Sequence, residues 1–298
     1  MAVTAFSALS VGYLAASRLA NHDRLQVHSC FQRSLNLRHP DGYLLPLLSG
    51  DFQDLPDAIR IPVSGEWDWR HHAQIGQLAT FQQGTLQGGG WCIALGLAPR
   101  WQPAQRLPEA NPLALLDTLS HYATLAWQLG QYCHQHHSES DVQLLPGMVQ
   151  SGALRYPPPR IVTLGLTDSP EQLAGEVNAL IGYGRGLTPD GDDYLLGYMA
   201  ALWPWRKLPA IASHDSVMRR LIGSQLACTN DISRHYLARA LEGHFSAPID
   251  QLMSVLGSAT STTQVQAAAL EVMQFGASSG VDCLAGILHG LRTLRSSL

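Results

Sequence analysis

The stretch PRWQPAQRLPEANP, Pro99–Pro112, separates two kinds of sequence. Before it run short apolar stretches punctuated by Gly and Pro. After it the apolar residues recur at helical spacing. Four prolines and several polar residues within the stretch leave little to bury and much to break an element, so it reads as a seam. Upstream, Leu25–Leu37 reads as extended, with Val27, Phe31 and Leu35 apolar. His39-Pro40-Asp41-Gly42 is a turn signal, and Tyr43–Leu48 reads as the returning strand. Ala58–Val63 and Trp91–Leu97 are further strands, the second entered through Gly88-Gly89-Gly90. Downstream, Leu115, Leu119, Tyr122, Ala126 and Leu129 predict one helix over Leu113–His137. Gln143–Leu166 is loop-rich, with Pro157-Pro158-Pro159 leading into the apolar run Ile161–Leu164. Ser169-Pro170-Glu171 opens a helix with an N-cap and a proline at its first position. Further helices are expected over Asp192–Trp203, Asp215–Gly243, Ile249–Leu256, Thr262–Phe275 and Val281–Leu294. The fold class is therefore α+β. An antiparallel β-rich part, a small barrel or sandwich, covers residues 1–105. A mainly helical part carrying the Gly/Asp-rich loops covers 106–298.

Composition narrows the function. With 298 residues, 46% hydrophobic and 14% charged, the chain can build one large core or two ordinary ones. The formal net charge is −4, and no basic run exceeds a pair such as Arg219-Arg220. Phosphate contact needs clustered Lys and Arg, so nucleic acid is not expected as a partner. Cys30, Cys92, Cys133, Cys228 and Cys283 are odd in number, widely spaced and without a Cys-x-x-Cys pair. They read as thiols of a reducing compartment, the cytoplasm. Ala2–Leu19 is small and apolar, but no Lys or Arg precedes it and Arg18 follows it. It reads as a short packed helix in preference to a signal segment. No stretch has the roughly twenty uncharged apolar residues a membrane span requires.

The chemistry concentrates in GYGRGLTPDGDDYLLG, Gly182–Gly197. Alternating glycines allow close approach of a ligand to the backbone. Asp190, Asp192 and Asp193 sit at the start of an apolar helix, whose free N–H groups and dipole favour anions. Arg185 adds a fork suited to carboxylate or phosphate. The spacing is neither that of a dinucleotide fingerprint nor that of a P-loop. Capping by one Asp is ordinary, whereas three acids beside three glycines and an arginine point to a binding loop. Gly191–Gly197 and Gly280–Gly286 share the form G-x-D-x-L-x-G, so Asp193 and Asp282 are candidates for one shared site. Gly276-Ala277-Ser278-Ser279-Gly280 fits the nucleophile-elbow pattern. That pattern needs a strand before it, and the preceding segment reads as helix. Thr229, Ser233 and Tyr236 fall on one helical face, which is either solvent-facing or lines a pocket. His134 and His137, and His71-His72 beside Trp67 and Trp69, read as solvated imidazoles and not as metal ligands.

These segments together resemble the family that includes the AllH-type subunit of oxamate carbamoyltransferase. The resemblance rests on G-x-G-x-G-L-T-P-x-G-D-D-x-L-x-G, on Ile232-Ser233 with Tyr236-Leu237, and on the late S-G-x-D-x-L-x-G over Ser279–Gly286. Val27-His28-Ser29 through Asn36-Leu37 is similar to the family's first strand. Asp190 stands where Ser is common and Arg185 where Pro is common. The resemblance implies a subunit of a multi-subunit transferase that moves a carbamoyl group between oxamate and phosphate, with an FdrA-like partner subunit. Gly184, Gly186, Thr188, Asp192, Asp193, Ser279 and Asp282 fall on its motif positions. The expectation is a small anionic carbamoyl or acyl-phosphate substrate. Gly184, Arg185, Gly186, Thr188, Ser233 and Ser279 would bind it, and Asp192, Asp193 and Asp282 would be catalytic. Carboxylates beside an anion need a cation or an amide donor between them, so Asp192, Asp193 and Asp282 would either hold Mg²⁺, with Asp192 and Asp193 as its ligands, or orient the amide nitrogen of the substrate. The alternative is a non-catalytic partner that binds a ligand or stabilises an assembly.

Overall fold

The computed structural model describes residues 3–63, 65, 67–103, 111–136, 142–143, 160–259 and 261–298. The chain forms two compact units, Met1–Ala104 and Gln105–Leu298.

The first unit is one ten-stranded sheet. Its strands are β1 (Thr4–Ser7), β2 (Ser10–Gly12), β3 (Arg24–Cys30), β4 (Ser34–Arg38), β5 (Leu44–Ser49), β6 (Ile59–Ile61), β7 (Leu78–Gln82), β8 (Thr85–Gln87), β9 (Trp91–Ala94) and β10 (Arg100–Trp101), with a short helix α1 (Tyr13–Arg18) after β2. The spatial order is β1-β9-β8-β7-β3-β4-β5-β6-β2-β10. Most neighbours are antiparallel, while β1–β9, β2–β10 and β5–β6 are parallel. The Ala8 N–H bonds the Ala94 carbonyl on β9, and the adjacent Leu9 N–H bonds the Arg60 carbonyl on β6. In a flat sheet six strand spacings of about 4.8 Å would separate those partners, yet consecutive Cα atoms are only about 3.8 Å apart. The sheet must therefore curl until its ends approach, as a half-barrel does. Leu25, Val27, Leu35, Leu37, Leu45, Leu47, Ile59, Ile61 and Ile93 alternate along their strands and pack as its core around Trp69 and Trp91. Each such aliphatic side chain contributes about 1.5–3 kcal/mol when fully buried.

Two expectations change in this unit. Thr4–Ser7 and Ser10–Gly12 are strands, and only Tyr13–Arg18 is helical. Leu25–Leu37 is a hairpin of β3 and β4. Its turn, Phe31-Gln32-Arg33, carries no Gly, Pro or Asn to announce it. The turn at His39–Gly42 lies as expected between β4 and β5, with Gly42 at φ +90°. His72 stacks on Trp67 with ring centroids 3.6 Å apart.

The second unit is helical: α2 (Pro112–Ser120), α3 (Tyr122–His136), α4 (Pro170–Leu180), α5 (Asp190–Leu202), α6 (Pro209–Gln225), α7 (Asp231–Leu241), α8 (Ala247–Leu256), α9 (Thr262–Met273) and α10 (Ser279–Arg295). Short β11 (Val142–Gln143) and β12 (Arg160–Ile161) pair in parallel. His137 and Pro157–Pro159 lie outside the described residues. Helix α5 buries all its residues but Leu196, and α10 is buried from Gly280 through Leu291. Helices buried on all sides form the centre of a bundle. Around this pair pack α3, α4, α7, α8 and α9.

Local chemistry sets the helix ends. Asn111 caps α2 through the Ala114 N–H (3.0 Å), Ser169 caps α4, and Ser261 with Gln264 forms a capping box on α9. The single helix expected over Leu113–His137 breaks at His121. The one expected over Asp215–Gly243 breaks at Thr229-Asn230. Asn230 accepts from the Ile232 and Ser233 N–H groups, both at 3.0 Å, and starts α7. Arg234 donates back to the Leu226 and Thr229 carbonyls and seals the end of the preceding turn.

Candidate functional site

The two G-x-D-x-L-x-G segments open α5 and α10, and the structure joins them. The Thr188 and Ser279 hydroxyl oxygens lie 2.8 Å apart. The Ser278 hydroxyl reaches Asp190 Oδ1 at 3.4 Å. The two helices touch through their glycines. A Cβ on Gly197 would stand 1.9 Å from the Cys283 carbonyl oxygen, and one on Gly286 would stand 2.0 Å from that of Tyr194. Tyr194 and Cys283 occupy the same place in the two segments. The contacts are thus reciprocal, as a two-fold relation requires. The relation extends backwards. The Tyr183 N–H bonds the Leu180 carbonyl and the Gly191 N–H bonds the Tyr183 carbonyl. Likewise the Phe275 N–H bonds the Val272 carbonyl and the Gly280 N–H bonds the Phe275 carbonyl. Gly184 and Gly276 follow at φ +113° and +66°, the left-handed side that suits glycine. Helix–loop–helix α4–α5 and helix–loop–helix α9–α10 are therefore two copies of one motif. Both buried helices present their N-terminal ends at the same place.

The loop residues divide by environment. Arg185, Gly186 and Leu187 are exposed at the tip, while Gly184 is half-buried beneath Asp190. Asp192 is 1% exposed. Its Oδ1 accepts from the Gly182 N–H at 2.8 Å, and its Oδ2 accepts from the hydroxyls of Thr229 and Ser233 (2.6 Å for Ser233). Thr229 and Ser233 do not share a helical face, because Thr229 is extended and precedes the cap of α7. They meet at Asp192, and Ser233 at 2% exposure does not face solvent. Asp193 bonds Ser279 and Thr188, while burial pushes its carboxyl well above the usual carboxylate range, with Asp192 and Asp190 adding to the rise. Asp193 Oδ2 has no hydrogen-bond partner among the described residues. Asp282 is fully buried. Burial raises the Cys283 thiol, and Asp193 and Asp282 raise it further.

Three of the roughly four acceptor positions of Asp192 are filled by protein donors. Among the described residues no three His, Cys, Asp or Glu side chains converge as a metal site. Mg²⁺ prefers octahedral oxygen ligation, and Asp192 fits an internal tie better than a ligand for it. The segment Gly276–Gly280 follows helix α9 and not a strand, as expected, so it is not a nucleophile elbow.

Two Tyr–His pairs had no counterpart among the sequence expectations. His289 Nε2–H donates to the Leu164 carbonyl (2.6 Å), so Nδ1 accepts from the Tyr194 hydroxyl (2.6 Å). His214 Nδ1–H donates to the Thr167 carbonyl (2.6 Å), and Nε2 accepts from Tyr198 (2.7 Å), which also bonds Thr293. Burial, then Arg292, pushes His289 down to about 4, and burial lowers His214. Burial raises both tyrosines. The i, i+4 spacing of Tyr194 and Tyr198 was the available signal. These pairs bolt the segment around Leu164–Thr167 to the helical centre.

Fold and site together define a two-unit α+β protein whose helical unit is built on a duplicated Gly/Asp loop. Residues 180–291 match the family "Oxamate carbamoyltransferase subunit AllH", and residues 7–100 match "AllH family N-terminal domain". The two matches cover most of the chain, and it belongs to the AllH family. It is a subunit type of a multi-subunit enzyme, which implies partner chains. No solved structure matches it. Among the described residues no helix is long and apolar enough to cross a membrane.

Proposed function

We propose that this subunit holds the small anionic substrate of an oxamate-carbamoyltransferase-like assembly, a carbamoyl or acyl-phosphate type molecule, at the loop Gly182–Gly197. The observation that carries this reading is the 2.8 Å contact of Thr188 with Ser279, which joins the N-terminal ends of two buried helices. The dipoles at two such helix ends favour an oxyanion and stabilise charge that develops on it. Backbone N–H groups of Gly184–Thr188 and the exposed Arg185 take the anion, and the second loop, Gly276–Gly280, closes the other side. Asp193 and Asp282 orient the amide nitrogen, while Asp192 fixes the Gly182 turn from within. An FdrA-like subunit is the proposed partner, and the cytoplasm the proposed compartment.

A second reading is a non-catalytic partner that binds the ligand or stabilises the assembly. It is favoured by Asp192, whose contacts are all internal. One experiment addresses both. The full chain, alone and with co-purifying partners, is melted with oxamate, carbamoyl phosphate or phosphate, with and without Mg²⁺. A ligand at a hundred times its Kd stabilises by about 2.7 kcal/mol. Stabilisation of the lone chain supports the binding reading. Transferase activity of the lone chain removes the non-catalytic one. No stabilisation in any mixture, partners included, overturns the binding reading.

A further inference from the structure

Outside the helical unit, the β3–β4 hairpin carries a polar cluster with no part in the reading above. Side chains of consecutive strand residues normally point to opposite faces. His28 and Ser29 do not, because the register of β3 against β4 shifts between Val27 and Ser29. A bulge of this kind bends a strand and re-aims its side chains. His28 Nδ1 consequently stands 3.1 Å from Ser29 Oγ. Across the ladder, Asn36 is paired with Ser29 and is 6% exposed. Its Nδ2–H donates to Ser29 Oγ at 2.9 Å. That donor fills one acceptor position of the hydroxyl oxygen. With His28 in the tautomer that leaves Nδ1 unprotonated, the Ser29 proton points to that nitrogen and the chain runs from Asn36 to Ser29 to His28. Asn36 is the buried support, while His28 and Ser29 are only half-buried. A strand bulge needs no histidine to hold a serine, and a nucleophile with a base within about 2.6–3.2 Å is the arrangement that activates a hydroxyl.

We infer that Ser29 is a nucleophile activated by His28, able to accept an acyl group from an activated carbonyl compound such as an ester or acyl phosphate. In the step, Ser29 Oγ forms a bond to the carbonyl carbon as its proton passes to His28 Nδ1. The bond from that carbon to the leaving oxygen breaks, and the imidazolium returns the proton to the leaving group. The products are an acyl ester on Ser29 and the released alcohol or phosphate. This activity does not depend on anion binding in the helical unit.

The test uses the full chain and p-nitrophenyl acetate, with the acetylated position read by peptide mass spectrometry. The expected result is one acetyl group on Ser29, absent in Ser29→Ala, with its rate lowered by about a hundredfold in His28→Gln. Acetylation elsewhere only, or an unchanged rate in His28→Gln, overturns the inference. Should Ser29→Ala fail to fold by its melting curve, Ser29→Cys replaces it. Iodoacetamide must then alkylate the new thiol faster in Ser29→Cys alone than in Ser29→Cys combined with His28→Gln, and equal rates overturn the inference.

Discussion

The two copies of the helix–loop–helix motif differ where chemistry would be done and agree where backbone meets backbone. Both keep the turn hydrogen bonds, the glycine that crosses the other helix, and the aspartate of G-x-D-x-L-x-G. The first copy adds three residues to its loop, the difference between Gly184–Gly191 and Gly276–Gly280. It also has Asp190 where the second has Ser279, and Asp192 where the second has Val281. Shared features are those a close helix crossing requires. Of the added ones, Asp192 ties the longer loop to α7 and Asp190 lies beside the Ser278 hydroxyl of the other copy. Elaborating one loop of a symmetric frame is a simple way to make an asymmetric site.

The comparison breaks first at the crossing. Gly197→Ala puts a Cβ against the Cys283 carbonyl, and Gly286→Ala does the same at Tyr194. Each should lose about 3 kcal/mol, the upper range for overpacking. Thermal denaturation should then show a drop of roughly 6–12 °C. Gly223→Ala in α6 meets only Leu241 Cδ1 at 3.7 Å and should be neutral or slightly stabilising. Equal effects at Gly197 and Gly223 would refute the close crossing.

Asp192→Val writes the residue of the second copy into the first. It strands the Gly182 N–H and the hydroxyls of Thr229 and Ser233. Urea unfolding should show a loss near 3 kcal/mol, since each buried unsatisfied group costs about 1–3 kcal/mol and some will find water. Asp192→Asn, which keeps an acceptor, should lose less. A neutral Asp192→Val would mean that the tie contributes nothing.

The Tyr–His pairs sharpen the comparison by pH. The folded pKa of His289 lies at about 4, below its ordinary value of 6.5. Its contribution is present above about pH 6.5 and lost as pH falls toward 4, at most roughly 3 kcal/mol. Asp250 acts in the opposite sense. Burial raises it from 3.8 to about 7, so its contribution is present at low pH and lost as pH rises through that range. Unfolding free energies at pH 7 and pH 5 should therefore show a steeper acid loss in Asp250→Asn and a shallower one in His289→Gln than in the unaltered protein. Parallel pH profiles for all three would remove both assignments.

The smallest effect is expected at Asp193→Asn. Burial already favours the uncharged carboxyl, so the amide should cost less than about 1 kcal/mol. A loss of several kcal/mol in the melting curve would show that Asp193 is ionised and stabilised as such.

How much of this was legible varied with distance along the chain. The passage from strands to helices was readable because periodicity is local, as were the capped start at Ser169-Pro170 and the echo of G-x-D-x-L-x-G. The hairpin at Phe31–Arg33 was hidden because its turn has no marker residue. The side-chain partners of Asp192 lie 37 and 41 residues away, and His289 lies 95 residues from Tyr194. Such contacts leave no spacing signal. The break at Thr229-Asn230 was legible in principle, since Thr-Asn before a helical run is a cap. The apolar periodicity on either side masked it.

The central claim is that both loops contact one ligand. Hydrogen exchange of the full chain, with its partners and with or without saturating oxamate or carbamoyl phosphate, tests it directly. The expected result is that ligand slows exchange together in residues 182–189 and 274–280. Protection of only one of these loops, or of neither while another region is protected, would contradict it.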